Sequence, residues 1–120
     1  MDKRNIRIGD WICDASNYNY VLRAGINEIQ CAHIFTPLGL TDRFLWNFKI
    51  DTIGGKEVFY RNEGSQACSL QDEGGRIWRV SIHTQFMMVE GTIRYVHELQ
   101  HFLLDCGIYW DICDCGERRL

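Results

Sequence analysis

The sequence predicts an α+β domain. We expect a mostly antiparallel sheet, or a partly open barrel, of about 5–7 short strands. One short helix is expected near residues 42–48 and a longer C-terminal helix near residues 92–105. Three observations predict this. Ile77, Arg79, Ser81 and His83 alternate with Trp78, Val80 and Ile82, the two-residue period of a half-buried strand. Turn-forming residues break the chain repeatedly, at 14–19, 25–27, 54–55, 62–65 and 72–75. Val96, Leu99, Leu103 and Cys106 recur at helical spacing, with Tyr95 and Phe102 beside them.

The elements follow in chain order. Residues 6–13 read as a strand kinked at Gly9, and residues 20–23 return as its hairpin partner. Residues 28–35 read as a third strand, with Ile29 and Cys31 on one face. Pro37 pushes Thr36 out of the helical region, and Thr41 then offers an N-cap to a short helix carrying Phe44, Leu45 and Phe48. The middle is β-rich, with strands expected near 48–52, 57–61, 67–70, 76–83 and 86–89. The helix over residues 92–105 stops at Gly107, and residues 108–112 read as a last short strand. On that helix Arg94, His97, Glu98, His101 and Asp105 share the side away from the apolar stripe, which reads as a solvated face.

The chain's 120 residues fit one domain, placed at residues 1–107, with a Cys-rich extension over 108–120 packed on or near it. Hydrophobic residues make up 46% and charged residues 24%, so the chain can bury a core. The net charge of −3, with no basic run, argues against bulk binding to nucleic acid. The charged N-terminal residues lead into no apolar stretch, and no run approaches the ~20 residues of a membrane helix. A cytoplasmic protein is expected, or one in the host cytoplasm if phage-encoded. The six cysteines are then expected as free thiols.

His97-Glu98-Leu99-Gln100-His101 spells H-E-x-x-H, in which two histidines one helical turn apart hold zinc and the glutamate polarises a bound water. No H-x-x-G-x-x-H continuation supplies a third ligand, and only Asp111, Asp114 or Glu117 could do so by folding back. Cys106, Cys113 and Cys115, with His101, form a second and irregular metal candidate. Neither set carries a metal or cofactor assignment. Gln100 stands at the edge of the apolar stripe, where a buried amide must either brace backbone or meet a ligand. Trp11, Tyr18, Tyr20 and Arg23 gather in the first hairpin, as stacking groups for a base or as an interface. His33 and His83 read as structural. No nucleophile elbow, Walker loop or dinucleotide fingerprint is present.

Three segments carry a family resemblance. Residues 5–12 resemble an LRIGN-W/Y-V pattern, residues 37–45 resemble P-I-P-L-T-E-E-x-L, and residues 93–101 resemble I-x-Y-V-H-Q-L-Q-N. Together, over about residues 5–107, they resemble a family of small proteins of Bacteroidetes genomes and their phages and prophages, for which no activity is established. Glu98 and His101 depart from that pattern, which has glutamine and asparagine there, while His97 and Gln100 match it. Gly39 replaces a proline, Lys49 replaces a helix-ending glycine, and the Cys-rich tail is additional. The resemblance implies a binding protein of phage or mobile-element type. An anti-defence role would have it sequester a small nucleotide-type signal or a host defence protein. Trp11, Tyr18, Tyr20, Arg23, His97 and Gln100 are the expected contact residues, and pairing into a homo-oligomer would give so small a domain a concave site. The alternative is a zinc-dependent hydrolase working through His97, Glu98 and His101.

Overall fold

A computed structural model of the chain describes residues 1–113, the side chains of Tyr18 and Asn19 excepted. Eight strands form two open antiparallel sheets, so the α+β expectation holds in its unclosed form. The first sheet holds β1 (Trp11–Asp14), β2 (Asn17–Arg23) and β3 (Phe35–Pro37), with β1 in the middle. A five-residue helix, α1 (Ile26–Gln30), lies between β2 and β3 in the chain. The second sheet is a meander of β4 (Lys49–Ile53), β5 (Lys56–Glu63), β6 (Gln66–Asp72), β7 (Trp78–His83) and β8 (Met88–Ile93). Its strands pair in sequence order. The long helix α2 (Val96–Asp105) follows β8 directly.

Alternation fixes which face of the meander is buried. Trp78, Val80 and Ile82 on β7 point inward, with Cys68 and Leu70 on β6 opposite them and Phe59 on β5 beyond. One helix face closes this core through Val96, Leu99 and Leu103. Phe44, Leu45 and Phe48 belong to the same core. Ile108 and Ile112 also enter it, so residues 108–112 lie against the core. A smaller core of Ile6, Ile12, Ala24, Ala32 and Phe35 joins the first sheet to the N-terminal segment. Burial pushes the Cys68 thiol up to about 12, with Cys106 adding to the effect, so Cys68 packs as an apolar group.

Several boundaries differ from the sequence reading. Residues 28–35 are not a strand. Glu28 accepts a hydrogen bond from the Gly25 amide (3.0 Å), which caps α1. A 3-10 turn (Ala32–Ile34) then leads into β3. The first strand starts at Trp11 rather than near residue 6. The Arg7 amide donates to Asp10 Oδ2 (2.7 Å) and the Asp10 amide to the Arg7 carbonyl (3.1 Å), closing a tight turn with Gly9 at φ +91°. The short helix near 42–48 is a 3-10 turn over Asp42–Leu45. Residues 92 and 93 belong to β8, where they pair with Arg79 and Trp78, so α2 begins at Val96. Residues 108–113 join no ladder. No helix among the described residues is long and apolar enough to cross a membrane.

Leu99 is wholly enclosed while Leu104 is half exposed on the same helix. Leu99→Ala is expected to cost about 2–5 kcal/mol in denaturant unfolding. Leu104→Ala should stay within about 0.5 kcal/mol of the parent.

Candidate functional site

The residues singled out in the sequence meet where α2 crosses β1. In the first turn of the helix stands Glu98, whose Oε1 accepts from the amides of Arg94 (2.9 Å) and Tyr95 (3.1 Å). That bond supplies two N-terminal donors with a partner and fixes the start of the helix. Rotation about the axis then sends Leu99 and Leu103 to the large core, and Gln100 and His101 to β1.

Gln100 uses both ends of its amide there. Its Oε1 accepts from the Trp11 amide (2.9 Å), and its Nε2 donates to the Gly9 carbonyl (3.0 Å). Of the two roles open to a glutamine at this place, bracing backbone is the one occupied. His101 Nε2 lies 2.7 Å from Asp10 Oδ2, and Asp10 is buried. His97 is buried too, only 6% exposed. It stacks on Tyr95 (5.8 Å, 13°) and meets His101 edge-on (5.4 Å). Of the residues expected on a solvated face, His97 and His101 instead join an internal polar seam with Asp10, while Arg94 and Asp105 are exposed as expected. Burial holds the His97 imidazole below its ordinary pKa and His101 adds to this, while Asp10 and Glu98 pull the other way. Its Nδ1 has no hydrogen-bond partner.

Trp11 and Arg23 complete the joint. The indole Nε1–H donates to the Ile112 carbonyl, tying the tail to β1. The Arg23 guanidinium lies 4.8 Å over the Trp11 ring and bonds Asp111 (2.8 Å). Phe44 meets the same ring edge-on (5.7 Å). Tyr20 is exposed on β2 and does not line this joint, and the side chain of Tyr18 lies outside the described residues.

Beside the joint is a shallow cleft of about 290 Å³. Its floor is Asp10, Gln100 and His101. Arg7 and Arg23 stand on its rim, Arg7 paired with Asp105 (3.2 Å) and Arg23 with Asp111. Between them Tyr109 (82% exposed), Ile8 (70%) and Leu104 (48%) project into solvent. The sequence reading did not single out Arg7, Ile8, Asp10, Leu104 or Tyr109 for this site. A usable signal existed for Tyr109, which stands between Ile108 and Ile112 in an apolar run that a packed tail cannot bury on every side.

The metal candidates find little support in this arrangement. Glu98 is committed to the helix start and His101 to Asp10. Among the described residues no three His, Cys, Asp or Glu side chains form a group able to hold a metal. Cys113 donates to Asp111 Oδ2 (3.1 Å), while Asp114, Cys115 and Glu117 lie outside the described residues. Comparison with family models, with curated proteins and with solved structures finds no match to this chain.

Gln100→Ala strands the Trp11 amide and the Gly9 carbonyl. A loss of about 1–3 kcal/mol is expected in urea unfolding. His97 gives a pH dependence. The unfolded chain takes up a proton as pH falls through about 6.5, while the folded chain resists it. The unfolded state then binds more protons, so stability present above that pH is lost on acidification. Melting temperatures from pH 7.5 to 5 should fall less steeply for His97→Phe than for the parent.

Proposed function

We propose that the protein is a non-enzymatic binding module that engages another protein through Ile8, Leu104 and Tyr109, flanked by Arg7 and Arg23. One observation carries this reading: apolar side chains stand outward around a cleft too small and open to enclose a ligand. Small-molecule sites commonly offer about 300–1,000 Å³ and turn their apolar groups inward. Protein interfaces draw most of their energy from a few tyrosines, tryptophans and arginines.

The charges suit exchange. Arg7 and Arg23 hold exposed carboxylates, and such pairs are worth about 0–1 kcal/mol. A partner's carboxylates can replace Asp105 and Asp111 at little cost. The floor is fixed by the Gln100 and Asp10 bonds, so binding need not order it. Of the two targets that the family resemblance implies, a small nucleotide-type signal and a host defence protein, this surface suits the second. The hydrolase reading has less behind it, because Glu98 and His101 already carry structural bonds.

Affinity capture with the parent chain, followed by Kd measurement on the isolated partner, tests the proposal. Tyr109→Ala should weaken binding by about 30-fold, the loss typical of a hot spot. Equal binding by Tyr109→Ala and by Arg23→Glu would move the interface elsewhere. A small molecule retained in native mass spectrometry and lost on Tyr109→Ala or Arg23→Glu would replace the protein partner with a ligand held at this cleft.

A further inference from the structure

A second region, which shares no lining residue with the cleft at Tyr109, carries positive charge without a counterion among the described residues. Two open grooves of about 570 and 590 Å³ adjoin one another, and both are lined by Leu38, Gly39, Gly75, Arg76 and Arg94. Arg94 precedes α2, and Arg76 sits in the loop between β6 and β7. Both guanidinium groups are exposed, and neither has a carboxylate partner among the described residues. The nearest acid on the groove wall is Asp72, whose Oδ1 accepts from the Gly74 amide (2.8 Å).

The backbone of Arg76 adds a second, independent feature. Gly74, Gly75 and Arg76 follow one another at φ +86°, +60° and +64°. Glycine takes this conformation freely, whereas an L side chain is disfavoured in it. Among the described residues Arg76 is the only non-glycine at positive φ. A glycine would serve this turn better, so the turn does not explain the arginine. Residues kept in such conformations cluster where the side chain is used.

We propose that Arg76 and Arg94 form an anion site for a phosphorylated small molecule, with the phosphate held between the two guanidinium groups. The fork of N–H donors on each arginine matches phosphate oxygens in pairs. Gly39 and Gly75 have nothing within 4 Å of where a Cβ would stand, and without one the groove floor stays open to a bulky anion. The guanidinium groups are the donors here, since the amides of Arg94, Tyr95 and Val96 are spent on Glu98 and the Leu38 carbonyl. The grooves, each larger than the cleft at Tyr109, leave room for the rest of a ligand on either side of the phosphate.

Titration with inorganic pyrophosphate, followed by amide and arginine Nε–H NMR shifts at fixed ionic strength, tests this site. The parent should give saturable shifts at Gly39, Gly75, Arg76 and Arg94. Arg76→Gly and Arg94→Gln should each weaken binding about tenfold or more. Arg76→Gly should also melt at or above the parent temperature, because it relieves the backbone while removing the ligand contact. Arg7→Gln, at the other cleft, should bind as the parent does. Shifts that do not saturate, shifts that merely follow ionic strength, or an Arg76→Gly variant that binds like the parent would overturn the site. So would an Arg76→Gly variant that melts well below the parent, since the arginine would then be there for the fold.

Discussion

Gln100 joins a helix to the main chain of a strand from another sheet, and the rest of the architecture depends on that junction. The meander and the three-stranded sheet share no ladder, and α2 is what lies against both. Its apolar stripe faces the meander. On its other side one carboxamide accepts from Trp11 and donates to Gly9, while His101 reaches the Asp10 carboxylate between them. Asp10 in turn holds the Arg7 amide, and its carbonyl accepts from Ala24 (2.7 Å). A polar seam in a small protein is tolerable only when its members satisfy one another. Here the amide, the carboxylate and the second histidine do so. His97 Nδ1 is buried without a hydrogen-bond partner among the described residues, and burial pushes the pKa of this histidine down.

The same seam explains what could be read in advance and what could not. β7 was legible because one of its faces meets the core and the other meets water, so alternation in the sequence is alternation in burial. Phe44, Leu45 and Phe48 recur at helical spacing and do enter the core, although their turn is 3-10 rather than α. The start of α2 was not, because Thr92 and Ile93 suit either a strand end or a first helical turn. Pairing with Arg79 and Trp78 decides for the strand. α1 was missed because a five-residue helix has too few turns to show a period. Its Gly25–Glu28 cap was the sign available.

The polar side of α2 was misread for a different reason. A helical wheel assigns polar residues to solvent only when the helix has one buried face. A helix packed between two sheets has two, and the second can be polar when it meets main-chain groups. The residues of the H-E-x-x-H spelling carry structural contacts here: His97 stacks, Glu98 caps, Gln100 clamps and His101 pairs. Of the residues expected at a binding site, Trp11, Arg23, His97 and Gln100 do come together. They form the support of a surface more than the surface itself. The exposed groups are Ile8, Leu104 and Tyr109, and exposure cannot be read from residue type.

Charge placement separates the two faces of the protein. Arg4, Arg7, Arg23, Arg61 and Arg79 each have an Asp or Glu within salt-bridge distance. Such pairing is easy in a chain with 16 acidic and 13 basic side chains, where a long arginine reaches a carboxylate with little rearrangement. Exposed pairs contribute little to stability, so they are not what holds the fold together. They do lower the local field, leaving the Tyr109 face mixed in sign. Arg76 and Arg94 stand apart from this pattern, lining the same grooves with no carboxylate partner among the described residues. Two neighbouring guanidinium groups repel one another, and in an acidic protein that repulsion could have been relieved by a single Asp or Glu nearby. Asp72 is the candidate, and its carboxylate is turned to the Gly74 amide instead. Positive charge is thereby left along the grooves, the feature on which the proposed anion site rests.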